Sequence, residues 1–257
     1  MTTDYEKNFL PFFDELADTS RAIALNYFRT NLAVDDKEDR TPVTQADKEI
    51  EEKLREMIHK KFPSHGIIGE EFGAENTNAE FVWVLDPIDG TKAFVCGIPL
   101  FGTIIGLTHN GVPKVGLVEQ AYTKERWLGI ADQFCRLNNK SVHVAPPRIL
   151  EAARCYAFVP DKTDPNLQKG HEALRDKAKI TRYYGDCYGY ALLASGFIDL
   201  VIEQQLNVYD VIGLIPLIQG AGGWASDWQL QPADLSFKGG FIAASTKALA
   251  EEALALF

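Results

Sequence analysis

Cysteine is scarce and unpatterned in this chain. The four cysteines, Cys96, Cys135, Cys155 and Cys187, show no paired or zinc-like spacing, which suits a reducing compartment and excludes a disulfide scaffold. No run approaches the ~18 consecutive apolar residues of a membrane span. Positive charge is in deficit, with 26 Lys and Arg against 36 Asp and Glu and a net charge of −10. Nucleic acid, which wants a basic face, is therefore a poor partner. The opening M-T-T-D-Y-E-K-N is acidic and polar where a secretory signal is basic and then apolar, so a cytoplasmic protein is expected. There is no C-x5-R nucleophile motif, no internal repeat and no low-complexity tract. None of the five histidines sits in a nucleophile motif.

What is present is a sizeable core. The 257 residues are 46% hydrophobic, enough for one large or two modest domains. Phe81–Leu85 is an apolar run of β-branched and aromatic residues, a buried strand. It runs into Asp86 and Asp89 with Pro87 between them, and Pro87 predicts a turn there because it cannot continue a ladder. Gly90 permits tight backbone geometry and Thr91 offers a hydroxyl at a helix start. Upstream, His65–Glu71 reads as a second strand ending in Glu70-Glu71. Side by side, the two strands bring three carboxylates to one sheet edge. Such a cluster repels itself unless a cation lies within it, and all-oxygen ligands suit Mg²⁺ or Mn²⁺ rather than zinc. The amides of Gly90 and Thr91 would then face an anion, as at a helix N-terminus. These features together describe a phosphate site. The plainer reading is that Asp86 and Asp89 only form a turn.

The longer string G-E-E … W-V-L-D-P-I-D-G-T resembles the signature of the inositol monophosphatase superfamily of metal-dependent, lithium-sensitive phosphatases. It differs from the D-x-D-G-T of haloacid-dehalogenase phosphatases, since two residues separate its aspartates. The resemblance implies that Glu70, Asp86, the Ile88 carbonyl and Asp89 ligate metal and that Thr91 orients the attacking water. It also implies two or three Mg²⁺ per site, with Mn²⁺ as a substitute, and a homodimer.

Elsewhere the chain reads as follows. An aromatic stripe over 5–31 predicts one long amphipathic helix. Asp35–Arg40 is a charged run, most simply a solvated loop; by resemblance it closes over the metal site. Thr44-Gln45-Ala46-Asp47 opens a helix as a capping box, while the family pattern T-P-V-T-Q-A-D puts Asp47 beside the catalytic threonine near a third metal. Strands follow at Phe101–Thr108, Pro113–Gln120 and Glu125–Ala131, with a hairpin turn at His109-Asn110-Gly111. Ala145-Pro146-Pro147-Arg148 marks a boundary between residues 1–144 and 145–257. The second half alternates strands (Cys155–Val159, Lys179–Tyr184, Phe197–Glu203, Gly223–Trp228, Gly240–Ser245) with helices (Asn166–Lys177, Tyr188–Ala194, Val211–Gln219, and one from Thr246). The expected fold is α+β, a layered αβαβα sandwich, with a largely antiparallel sheet and helices first and an α/β half second.

Asp210 reads locally as a helix-capping acid. The string Y-D-V-I-G-L-I-P-L-I-Q-G-A-G-G-W-A-S-D-W resembles the family's second signature, which implies that Asp210 completes the metal site. Substrate choice is expected at Arg182–Tyr190 and Glu203, with Asp89, Arg182, Asp186 and Glu203 as contacts. Gly185-Asp186-Cys187-Tyr188 and Tyr209 depart from the usual inositol phosphatase residues and resemble the histidinol-phosphate phosphatase branch, where an acid suits a cationic substrate. The plain alternative for Asp186 is again a helix cap. The expected activity is Mg²⁺-dependent hydrolysis of a small phosphate monoester, histidinol phosphate first, by Thr91, Asp47 and Glu70 around a metal-activated water. An inositol or broad sugar-phosphate phosphatase, or a phosphate-binding regulator without activity, is the alternative.

Overall fold

The structure is a computed structural model and describes residues 5–30, 34–36, 42–158 and 164–257. The N-terminal aromatic stripe forms two helices, Tyr5–Asn8 and Leu10–Tyr27, rather than one. Pro11, which has no N–H to donate backwards, sits in the first turn of the second. Of the charged run at 35–40, Asp35 and Asp36 belong to strand Val34–Asp36, which pairs antiparallel with Pro42–Thr44. Residues 37–40 lie outside the described residues. Helix Gln45–Lys61 starts at Thr44 with the expected capping box to Asp47.

An eight-stranded sheet occupies residues 66–142 and a five-stranded sheet residues 154–244. In the first, Gly66–Gly69 runs parallel to Phe81–Asp89, and the remaining pairs are antiparallel. Pro87 does not end the central strand. Pairing runs to Asp86↔Ile104 and resumes at Asp89↔Gly102 after an irregularity, and a bulge of this kind absorbs a residue that cannot donate to the ladder. In the second sheet, Arg154–Ala157 runs parallel to Ile180–Tyr183 and Leu200–Asn207, and Trp224–Asp227 and Lys238–Ala244 complete it antiparallel. The expected helix Val211–Gln219 is split into Val208–Val211 and Ile215–Gly220, with Pro216 in the first turn of the latter.

Layering follows from which faces are apolar. Helices Leu10–Tyr27 and Gln45–Lys61 cover one face of the larger sheet through Phe13, Leu54, Trp83 and Leu117. The opposite face, with Val82, Val84 and Ile104, shares one core with Tyr190, Ile212, Ile218 and Phe241. Helices Pro165–Lys177 and Lys247–Leu254 cover the outer face of the smaller sheet through Leu174 and Leu249, against Leu200 and Ile242. The result is the αβαβα sandwich. Because the middle core draws on both sheets, they are halves of one packed unit.

Candidate active site

Strand alternation delivers the first carboxylate. Along Phe81–Asp89, Trp83 and Leu85 face the outer helices, while Val82 and Val84 face the middle layer. Asp86 continues the inner set and is 1% exposed. The bulge then re-aims the chain, and Gly90, at φ 80°, turns it into helix Thr91–Val95. Glu70 follows the parallel neighbour Gly66–Gly69, as expected, and is hydrogen-bonded to Asp86.

Asp210 arrives from the other half because backbone can approach backbone closely there. A Cβ on Gly116 would lie 2.0 Å from the Gly213 carbonyl oxygen, and one on Gly213 would lie 2.5 Å from Ile104 Cγ2. Helix Val208–Val211 therefore lies close against the sheet. Asp210 Oδ2 accepts the Asn207 N–H at 2.6 Å, so the local capping role holds. It is also drawn into the cluster: Asp86, Asp89 and Asp210 each offer a carboxylate oxygen, all within 4.8 Å of one another.

Electrostatics make the cluster costly without a counter-charge. Burial, then Glu70, Asp89 and Asp210, push the Asp86 carboxyl well above the usual range. Burial, then Asp186 and Asp210, do the same to Asp89. Asp86 Oδ1 is buried with no hydrogen-bond partner. An orphaned oxygen within an all-oxygen donor set fits a hard divalent cation such as Mg²⁺ or Mn²⁺.

The rim is acidic as well. Asp186 opens helix Asp186–Ala194, and its Oδ2 lies close against Gly90, 3.1 Å from where a Cβ would stand. Burial raises it to about 6, against the pull of nearby Lys92. Glu203 is raised to about 7 by burial and then by Asp186. Its Oε2 accepts from the Tyr190 hydroxyl at 3.1 Å. Asp186 is no side-chain cap, since the N-cap position is Gly185 and carries no such bond.

Other expected residues sit differently. Asp47 Oδ2 accepts from the Thr44 N–H at 2.8 Å and the Thr44 hydroxyl at 2.6 Å. The Thr91 hydroxyl instead donates to the Ile88 carbonyl at 3.0 Å. Thr44, not Thr91, is thus the threonine bonded to Asp47. Asp47 still belongs to the same acidic neighbourhood: burial raises it to about 6, helped by Glu71 and Glu70. Arg182 is exposed on the edge strand Ile180–Tyr183. It is in register with Tyr156 and, one strand further, Val201, so two inter-strand spacings separate it from the strand of Glu203.

The sequence assigns no individual role to Cys187, Lys92 or Tyr190. The Cys187 backbone N–H donates to Asp89 Oδ2, and a backbone donor leaves no trace in residue type. Lys92 directly follows the D-P-I-D-G-T string and Tyr190 closes the Arg182–Tyr190 stretch, so both adjoin residues already singled out.

Similarity to known proteins agrees with this geometry. A model of the inositol monophosphatase family matches residues 6–257. The chain is 45% identical over 215 residues to the chloroplastic bifunctional phosphatase IMPL2 of Arabidopsis thaliana, covering 83% of this chain and 62% of that protein. It is 34% identical over 219 residues to the histidinol-phosphatase of Chlorobaculum parvum, 84% of each. Among solved structures, an inositol monophosphatase from Zymomonas mobilis superposes with a TM-score of 0.88 at 37% identity, over 99% of this chain and 98% of that one. Among the described residues no helix is long and apolar enough to cross a membrane.

Proposed function

We propose a substrate for this chain, which belongs to the inositol monophosphatase family and is a phosphatase. It hydrolyses histidinol phosphate. The observation that carries this reading is the pair of half-buried acids, Asp186 and Glu203, beside the aspartate cluster. A leaving group with an ammonium and an imidazole finds ionic partners there, whereas an inositol ring offers only hydroxyls. The relative from Chlorobaculum parvum, named a histidinol-phosphatase, supports the same choice.

Glu70, Asp86, the Ile88 carbonyl, Asp89 and Asp210 would hold two or three Mg²⁺, with Mn²⁺ as a substitute. When bound, these ions supply the positive charge that grips the phosphate, activates a water and neutralises the leaving alkoxide. Gly90 and Thr91 present backbone amides to the phosphate. The Thr91 hydroxyl orients the water. Asp47 fixes Thr44 at the head of helix Gln45–Lys61 and adds to the negative field around the ions.

Inositol phosphate is the second reading, favoured by the 37% identity to the Zymomonas mobilis inositol monophosphatase. Phosphate release from histidinol phosphate, inositol 1-phosphate and glycerol phosphate, each with Mg²⁺ and with EDTA, decides between them. The expected result is the highest kcat/KM for histidinol phosphate and none in EDTA. A preference for inositol phosphate would overturn the substrate, and release in EDTA would overturn the metal assignment.

A further inference from the structure

Glu51 is a charged residue with 0% exposure on helix Gln45–Lys61, one turn beyond Asp47. Its carboxylate accepts the Glu71 N–H at 2.7 Å and the Phe72 N–H at 3.1 Å. These are the two amides immediately after Glu70. On the other side, the Glu70 N–H donates to the Leu85 carbonyl at 3.2 Å, one residue before Asp86. The backbone at Glu70 is thereby held between the central strand and the helix.

Two further features show that the carboxylate is built into the turn. A Cβ on Gly69 would lie 1.9 Å from Glu51 Oε1, so the glycine of G-E-E is what lets the acid reach the amides. Arg55 Nε donates to Glu51 Oε1 at 2.8 Å, and its other nitrogens reach Glu75 Oε1 at 3.1 Å and the Gly73 carbonyl. One arginine thus anchors the carboxylate and ties it to the far strand, Gly73–Glu75. Hairpin packing alone would be served by an apolar side chain, and a buried charge is costly unless paired. A charged acceptor for consecutive amides is stiff where the residue before them must be aimed.

We infer that Glu51 is a positioning residue for the metal site, holding the 70–72 turn so that the Glu70 carboxylate meets Asp86. The inference rests on the reading of Glu70 as a metal ligand. Glu51 itself touches neither Asp86 nor the cluster; it acts through the turn.

The test is Mg²⁺ binding by calorimetry to the purified protein without substrate, for the wild type, Glu51→Gln, Glu70→Gln and the double variant. Glutamine presents an NH₂ where a second acceptor oxygen is needed, so Glu51→Gln should weaken Mg²⁺ binding by about 10–100-fold, the usual cost of losing a partner that orients a ligand. Melting in EDTA should fall as well, since Arg55 loses its anionic partner and one amide faces an NH₂, so affinities are compared well below each variant's melting temperature. The double variant should bind no more weakly than Glu70→Gln alone, because both act on one ligand. Lower melting in EDTA with unchanged Mg²⁺ affinity would make Glu51 merely structural and overturn the inference. Unchanged affinity in Glu70→Gln would instead remove Glu70 from the metal site, a separate failure. Should Glu51→Gln not fold, Glu51→Asp keeps the charge but is one methylene shorter. It should show a smaller loss of affinity, and wild-type affinity there would overturn the inference equally.

Discussion

The Cys187 N–H donates to Asp89 Oδ2, tying the helix that carries Asp186 to the strand end that carries the aspartate cluster. The aspartate cluster and the acidic rim are therefore joined by a backbone hydrogen bond.

Asp89→Asn should abolish phosphate release while leaving the fold intact. The amide oxygen still accepts the Cys187 N–H, so the helix stays docked, but one anionic ligand is gone. In EDTA the variant should melt higher than the wild type, because one member of a self-repelling buried cluster is neutral. Circular dichroism melts and an activity titration with Mg²⁺ check both halves. Substantial turnover by the variant at saturating Mg²⁺ would contradict the site.

Metal-free protein should become more stable as the pH falls from about 8 towards 5. Asp47 and Asp186 are raised to about 6 and Glu203 to about 7, with Asp86 and Asp89 also raised. Unfolded carboxyls titrate near ~3.9–4.3. Between those limits these five carboxyls hold more protons in the folded chain than in the unfolded one, which His65 and His171, lowered by burial, oppose only in part, so stability declines as pH rises through the window. The destabilising contribution of Asp47, Asp186 and Glu203 is fully expressed above about 7 and absent well below ~4. Saturating Mg²⁺ should flatten the slope. Urea unfolding across this range with EDTA or Mg²⁺ reads it directly, and metal-free stability that rises with pH would refute the coupling.

Legibility varied with the kind of signal. Phe81–Leu85 was readable because a strand buried on both faces is apolar throughout. Its continuation past Pro87 was not, since a bulge depends on the partner strand. Strands Phe134–Leu137 and Lys140–Val142 were missed because they are too short for periodicity. Their one cue was Asn138-Asn139, both left-handed at φ 45° and 68°, a two-residue hairpin loop. Glu51 hid inside a helix read by its apolar stripe, and only the turn it serves explains its burial. The Asp47–Thr44 cap was legible locally and forms, whereas a place for Asp47 beside the catalytic threonine was implied only by resemblance.

Gly116→Ala should cost stability out of proportion to one methyl group. Its Cβ would stand 2.0 Å from the Gly213 carbonyl oxygen, a backbone atom that cannot rotate aside. Overpacking of this kind costs about 1–3 kcal/mol, and relief requires the 208–213 segment to lift, carrying Asp210 with it. Melting temperature and Mg²⁺ affinity should fall together. A loss of stability with unchanged Mg²⁺ affinity would show that the sheet, not the Asp210 segment, gives way.

Asp186→Asn separates the two substrate readings within one protein. Asparagine is the right replacement because Asp186 has φ 44°, a left-handed conformation that asparagine tolerates and alanine does not. Shape is preserved while the charge is removed. A charge-assisted hydrogen bond to a substrate ammonium is worth ~1.5–3 kcal/mol, or roughly 10–150-fold in kcat/KM, because ~1.4 kcal/mol is a factor of ten. Histidinol phosphate should lose that much and glycerol phosphate almost nothing. General damage to folding or metal loading affects both substrates alike and cancels in the ratio. Glu203 shares the field, since Asp186 is among the causes that raise it. Neutralising Asp186 should therefore lower the pKa of Glu203 and leave it more fully ionised near neutral pH, which offsets part of the loss. The discrimination should consequently be smaller near pH 7 than at pH 8, where Glu203 is already ionised, and should collapse only in the variant lacking both charges. Equal losses on the two substrates would place Asp186 in the architecture of its helix alone and return the leaving group to a neutral alcohol.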